Sequence, residues 1–512
     1  MTNSAPVANR GLIAQYSTLI AALLGWMFDG FEMGLFPLIG RPALEDLLRT
    51  TANDKAAAQW FGVIMAVFLV GAASGGVLFG WLGDKIGRVR AMSLSILTYA
   101  VFTGMCGWAS AAWQIAVLRF IASLGMGGEW SLGVALVNEI WPGKSRAFIA
   151  GLIGAAANVG FLMVALLSIW MTEVVTELQA LLSAVGLSAE MVDELTRNKA
   201  WRFLMISGAL PALLIFFIRI FVPESSRWEE EHASGKTSNW NNSDLLGVLA
   251  GCASAVCIIV VWSPLGDHYL HWVLSAGITI AGLAGAVGGF LYPVRQYLRR
   301  AEADGQVTEF ERTQVIQRML LGAGLAGVAL LGTWGSIQWA PRWAATLPQA
   351  DPQAFISKHA AAFTQLATAC GAILSTILAA VAADRFGRRL TYALLCGASF
   401  ASAVYFYRWH AVFDTNFLFA AFLAGGITAA FYGFFPLYFP ELFPTSVRAT
   451  GQGFSFNFGR ILAAVGGLQT ANLMAVFEND FSRAGSILAT IYLIGLVVIC
   501  FGPETKSGAA AN

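Results

Sequence analysis

The chain has 512 residues, 57% of them hydrophobic and only 12% charged, with a formal net charge of +1. A soluble domain carries about 25% charged residues, so this composition cannot solvate a globule of such size, and the near-zero net charge argues against a nucleic-acid partner. The six cysteines (Cys106, Cys252, Cys257, Cys370, Cys396 and Cys500) are scattered through apolar runs with no CxxC pair or Cys/His cluster, which points to neither a disulfide framework nor a metal site.

The N-terminal MTNSAPVANRGLIAQYS is polar and lacks a cleavage-site pattern. The apolar run after it is too long for a signal peptide and is expected to remain as a membrane span. A spanning helix needs about 20 apolar residues. By that measure six spans are predicted at 17–39, 60–83, 91–111, 113–138, 147–171 and 200–222. Eight more follow at 244–263, 271–292, 319–340, 359–383, 390–407, 417–439, 452–477 and 483–501, fourteen in all. Lipid offers no partner to open backbone groups, so these runs must be helices, and they lack the short alternation of an outer-membrane barrel. Between the fifth and sixth spans, the polar stretch 172–199 has apolar positions at helical spacing and is expected to be an amphipathic surface helix.

Orientation follows from basic residues. With the N-terminus inside, the cytoplasmic segments hold eighteen lysines and arginines against nine outside. Both termini are therefore expected in the cytoplasm, with the chain crossing the plasma (inner) membrane.

Three patterns repeat along the chain. GWLGDKIGRVR, with Gly80, Asp84, Gly87 and Arg88, returns as VAADRFGRRL, with Asp384, Gly387 and Arg388, at an offset of 300. Glu-x-x-Pro-x-x-x-Arg occurs as Glu139, Pro142, Arg146 and as Glu441, Pro444, Arg448, at an offset of 302. Pro-Glu-Ser/Thr occurs at Pro223–Ser225 and Pro503–Thr505, at an offset of 280. The repeats predict an N-terminal six-helix bundle (1–222), a central region (223–318) holding two extra spans near 244–263 and 271–292, and a C-terminal six-helix bundle (319–512). The central hairpin contains no intramembrane charge and is expected to be peripheral, its small residues suiting close helix packing.

Two such repeats with these loops resemble the major facilitator superfamily, across nearly the whole chain. The loops around Asp84 and Asp384 match its signature after the second and eighth helices. PESSRW at Pro223–Trp228 and PETK at Pro503–Lys506 look like the sugar and metabolite porters. DGFE at Asp29–Glu32 looks like the acid:proton symporters, and the hairpin with GMGGEW at Gly125–Trp130 is similar to the sialate:proton group and its monocarboxylate-carrying relatives. The resemblance implies an all-α membrane protein of the major facilitator fold and a secondary transporter rather than an enzyme. It also implies a monomer without cofactor, whose partners are a small-molecule substrate, protons and the lipid bilayer. Asp84, Arg88, Glu139, Arg146, Glu224, Arg227, Asp384, Arg388, Glu441 and Arg448 are then expected to bond loop to loop and hold the cytoplasmic face shut.

A centred charge costs about 2.5–3.5 kcal/mol on insertion scales, so each one is a functional candidate. Asp29 and Glu32 share a face of the first helix. Glu32 and Arg119 lie at similar depth, roughly 10 Å in at 1.5 Å per residue. In proton-coupled sugar porters the residues matching Glu32 and Arg119 form the coupling pair, and Gly125 fits the same motif. A fixed buried ion pair is the alternative. Glu129, deeper in the fourth helix, is either a further coupling group or a static partner. Arg460 sits near the midplane, roughly 12 Å from the end of its helix, where organic-anion carriers place an arginine against the substrate; the sialate carriers lack it. Asn457 shares its face. Trp334, Gln338 and Asn158 are expected in the substrate lining, and His268, His271 and His410 at the membrane surface.

No GxxxxGK[ST] occurs, which disfavours ATP-driven transport, and no HExxH occurs in a span. The fifth helix, FIAGLIGAAANVGFLMV, lacks the Gly-Pro motif of drug:proton antiporters. The expected function is proton-coupled symport of a small organic anion such as a sialate or other carboxylate. The alternatives are a neutral-sugar:proton symporter, a drug:proton antiporter and a transport-inactive nutrient sensor.

Overall fold

The computed structural model describes residues 7–51, 54–141, 145–263, 272–468, 474, 476–478 and 480–506. Pro142, His268 and His271 lie outside the described residues. In chain order the first helices are α1 (Val7–Leu48), α2 (Lys55–Ile86), α3 (Arg88–Met105), α4 (Ala112–Ile140) and α5 (Arg146–Ile169). Shorter helices follow: α6 (Met171–Ala184), α7 (Ala189–Ser207), α8 (Ala212–Phe221) and α9 (Ser226–Ala233). The central hairpin is α10 (Leu245–Trp262) and α11 (Trp272–Ala303). Then come α12 (Glu309–Gly335), the short α13 (Ala340–Ala344) and α14 (Phe355–Lys358), α15 (Ala360–Phe386), α16 (Arg388–Trp409), α17 (Thr415–Ala429) and α18 (Phe431–Leu442). The last are α19 (Arg448–Asn457), α20 (Gly459–Leu468), α21 (Phe481–Leu488) and α22 (Ile491–Val498).

Polar residues end the apolar runs by satisfying helix-terminal N–H groups. Asp54 accepts from the Ala56 amide at 2.7 Å, and Asp414 accepts from that of Phe417 at 2.8 Å. Thr308 and Glu311 form a capping box at the start of α12.

Among the described residues, twelve helices are long and apolar enough to cross a membrane, the two of the hairpin included. The two expected spans not among them, 200–222 and 452–477, are each met by shorter pieces. The first is broken between Ser207 and Ala212, where Pro211 has no N–H to continue the ladder. The second is divided at Phe458, between Asn457 and Gly459, and part of it lies outside the described residues. The stretch 172–199 is helical but in two exposed pieces, α6 and the start of α7, rather than one.

The strongest packing joins α2 to α4, α5 to α15, α10 to α11, and α3 to α4. Helices from the two ends of the chain meet where α2 lies against α19 and α20, α4 against α19, and α5 against α15 and α18. These pairs follow the repeat, because α2 and α15 occupy corresponding positions, as do α5 and α19–α20. The central hairpin packs on α2 and α20 through α10 and on α12 through α11.

Candidate functional site

The repeated motifs gather on one face of the molecule. Gly87 and Gly387 each sit at left-handed φ, +108° and +99°, and turn the chain from α2 into α3 and from α15 into α16. A carboxylate then caps each new helix. Glu224 accepts from the Arg88 amide at 2.8 Å and the Val89 amide at 3.1 Å. Glu504 accepts from the Arg388 amide at 3.0 Å and the Arg389 amide at 3.1 Å. The two carboxyls are displaced in opposite directions. Burial raises Glu224 above the usual range, against the pull of the Ser225, Arg88 and Val89 amides. Partial burial also acts to raise Glu504, but the Arg388, Arg389 and Lys506 amides outweigh it and hold that group below the usual range.

Around these turns lies a network that crosses from one repeat to the other. Asp84, fully buried, accepts from Arg88 at 2.6 Å, from the Thr450 amide at 2.8 Å and from the Thr450 hydroxyl at 2.6 Å. Gly80 permits this approach, since a Cβ there would come within 2.7 Å of the Ala449 carbonyl. Glu139 accepts from Arg448 of the second repeat at 2.8 Å, and Glu441 lies 3.8 Å from Arg146 of the first. The Glu-x-x-Pro-x-x-x-Arg motifs thus exchange partners. The symmetry stops at the aspartates: Asp384 is exposed, 3.5 Å from Arg388, whose firmer partner is Glu441 at 2.8 Å. Arg227 is exposed and joins no ion pair among the described residues. Two tryptophans of the central segment add contacts that motif reading missed. Trp228 donates to the Asp84 carbonyl at 2.9 Å, and Trp240 donates to the Ser446 carbonyl at 3.2 Å.

Beyond this face a cavity lies between the repeats. Helices α1, α4 and α5 supply Trp26, Asp29, Trp130 and Asn158, and the second half supplies Trp334, Gln338, Gln365, Tyr432, Phe456 and Arg460. Its aromatic floor includes Trp130 stacked on Phe456, with ring centroids 3.8 Å apart, and Trp26 at 6.0 Å from Trp130. Among the described residues, none of the central hairpin lines it.

Arg460 is buried, its guanidinium 5.7 Å from the Phe456 ring centre. Its Nη1 finds no hydrogen-bond partner, and no carboxylate stands within ion-pair distance of it among the described residues. Asp29 is the acidic group whose field it feels, and the Oδ1 of Asp29 is likewise without a partner. Asp29 and Glu129 lie close enough for their charges to interact. Glu32 and Arg119 form a direct buried ion pair, with Thr103 donating to Glu32 at 3.2 Å. The Arg119 guanidinium is sandwiched between Phe36 and Phe68, 4.6 and 4.4 Å from their ring centres.

Of the residues expected to meet substrate, Arg460, Gln338, Trp334 and Asn158 line the cavity. Asn457 does not. Its amide donates to the Gly127 and Gly453 carbonyls at 3.1 and 3.0 Å, which ties α19 to α4. Asp29 lines the cavity, whereas Glu32, Arg119 and Glu129 stand behind it. Gln365 was missed, although a lone amide in an apolar run carries the same signal that singled out Gln338.

A model of the Major Facilitator Superfamily matches residues 18–350. The chain is 26% identical to a cis,cis-muconate transport protein of Acinetobacter baylyi, over 79% of this chain and 76% of that one. It is 23% identical to the niacin transporter NiaP of the same organism, over 96% and 94%. Its fold is similar to that of the proton:xylose symporter XylE bound to 6-bromo-6-deoxy-D-glucose, with a TM-score of 0.64, 17% identity and coverage of 96% and 97%. With the family match spanning more than half its length, the chain belongs to the Major Facilitator Superfamily of membrane transporters.

Proposed function

We propose that the protein is a proton-coupled symporter of a small organic anion, working by alternating access. The observation that carries this reading is Arg460, a buried guanidinium on the cavity wall with an unpartnered Nη1. A cation so placed must recover its desolvation cost from a partner, and a carboxylate ligand supplies one in a bidentate fork. The relatives add support, since muconate and niacin, named for them, are carboxylic acids. In this reading the chain crosses the membrane fourteen times, as two six-helix bundles (1–222 and 319–512) joined by a region (223–318) with a peripheral hairpin. The termini and the motif face lie in the cytoplasm, and the protein acts as a monomer.

Proton coupling belongs to the acidic set Asp29, Glu129 and Glu32, with Arg119 biasing Glu32. The residue pattern alone favours Glu32 as the carrier. The geometry favours Asp29, because Glu32 already has its counter-charge in Arg119 while Asp29 faces the cavity. The test is uptake into proteoliposomes with and without a pH gradient. Arg460→Lys keeps the charge but loses the fork, and acid uptake should fall at least tenfold. Asp29→Asn should abolish gradient-driven accumulation while sparing exchange. A lysine variant that transports acids normally overturns the anion site, and uphill accumulation by Asp29→Asn overturns the coupling role. A neutral-sugar symporter is the second reading, favoured by the amides of Gln338 and Gln365 in the lining; wild-type protein carrying only sugars would establish it.

A further inference from the structure

Helices α1, α3 and α4 enclose a group of ionisable side chains next to the cavity. Asp29 and Glu32 come from α1, Tyr99 from α3, and Arg119 and Glu129 from α4, and all five are more than nine-tenths buried. Of the five, Asp29 lines the cavity and the others stand behind it. Four oxygens of this group have no hydrogen-bond partner among the described residues: Asp29 Oδ1, Glu129 Oε2, Glu32 Oε2 and the Tyr99 hydroxyl. Glycines bring the three helices together here. A Cβ at Gly25, one turn before Asp29, would overlap the Glu129 carboxylate, so glycine at that position seats the carboxylate against α1. A Cβ at Gly125, one turn before Glu129, would come within 2.7 Å of the Tyr99 amide nitrogen, so α4 closes on α3 at the base of the ring. Thr103, one turn beyond Tyr99 on the same face of α3, donates to Glu32 at 3.2 Å. The charges of Glu129, Asp29 and Glu32 all act on the Tyr99 hydroxyl.

We propose that Tyr99 is a proton relay between the Asp29–Glu129 pair at the cavity and the Glu32–Arg119 pair behind it. A phenol hydroxyl both donates and accepts, so it can take up one proton as it gives up another. In the step, the Tyr99 oxygen accepts the proton of the Glu129 carboxyl while the phenol's own proton passes to Glu32. Glu129 ends ionised, Glu32 ends neutral and Tyr99 is unchanged. An adjacent guanidinium favours the charged form of a carboxyl, so transfer to Glu32 waits until its bond to Arg119 lengthens. That bond joins α1 to α4, which ties the position of the proton to movement of these helices. A phenylalanine has the same shape and nothing to carry the proton.

This inference rests on the proton-coupled reading, and the experiment separates the two. The full chain in lipid vesicles is followed by infrared difference spectroscopy after a pH jump, with Glu32→Gln and Glu129→Gln assigning the carboxyl bands. In the parent both bands should respond together. In Tyr99→Phe the Glu32 band should lag by roughly a hundredfold, the scale of a positioned proton-transfer group, while the Glu129 band keeps its rate. Tyr99→His restores a group that accepts and donates protons, and should restore the Glu32 rate. Parent-like rates of both bands in Tyr99→Phe, equal slowing of both, or a lag that persists in Tyr99→His overturns the relay and leaves proton coupling standing. So does a parent whose Glu129 band responds while its Glu32 band is silent. A parent in which no carboxyl band responds overturns both.

Discussion

Arg119 and Arg460 are both buried, and their surroundings differ in kind. Arg119 has a carboxylate, Glu32, and two aromatic faces, so its charge is compensated within the protein. Arg460 stands beside a cavity with no carboxylate in ion-pair distance among the described residues; an unpartnered nitrogen does not separate the two, since Arg119 Nε also lacks a hydrogen-bond partner. The contrast predicts different mutational behaviour. Removing one member of a closed buried pair strands the other charge and costs about 3–5 kcal/mol, whereas replacing both by apolar groups is close to neutral. Glu32→Gln should therefore lower thermal stability in detergent markedly, and Glu32→Gln with Arg119→Met should regain most of the loss. A Glu32→Gln variant as stable as the parent would show that Arg119 has another partner.

At the scale of elements, the turns at Gly87 and Gly387 share one construction, with a glycine at positive φ and a glutamate capping the next helix. Their glutamates respond oppositely to pH. A free glutamate titrates near about 4.3. Glu504 is held lower in the folded protein, so it contributes stability above that value and loses it as pH falls through the lowered one. Glu224 is raised, so the fold favours its protonated form, and stability falls as pH rises from about 4.3 through the raised value. Thermal unfolding followed across acidic pH should show Glu504→Gln removing a rise of stability with pH and Glu224→Gln removing a fall. Identical pH profiles for the two variants would contradict this. The same capping bonds pull both groups down, and stronger desolvation of Glu224 reverses the outcome there.

For the whole molecule, the motif face is where the two repeats are tied most directly, by Asp84 to Thr450, Glu139 to Arg448 and Arg146 to Glu441. Under the alternating access proposed above, these bonds would break together while the helices themselves stay intact. Asp84 takes part in the most of them, and its loss leaves the start of α19 without its acceptor and Arg88 with only Glu139 and the Thr445 carbonyl. Asp84→Ala should loosen the closed state, seen as faster hydrogen–deuterium exchange over residues 445–455 with little change in the α15–α16 turn, where the corresponding Asp384 is exposed. Equal exchange in both variant and parent would place the closing energy elsewhere, with Trp228 and Trp240 the next groups to substitute.

Much of this protein is written along its chain. Apolar run length sets which segments must be membrane helices, the spacing of the three motifs discloses the repeat, and a charge at mid-span marks Arg460 as needing a partner. Depth arithmetic even brings Glu32 level with Arg119, because rise per residue is constant along a helix. Periodicity assigns a side chain to a face of its own helix, but not to the neighbour that face will meet. Asn457 shares a face with Arg460 and still turns to α4, since a helix face three residues wide can touch two neighbours. Gln365, Tyr432 and Phe456 join Asp29 in one cavity only because α1, α15, α18 and α19 pack around it. The exchange of partners between Glu139 and Glu441 likewise belongs to the packing of α4 on α19 and α5 on α18, contacts between segments hundreds of residues apart that no local pattern encodes.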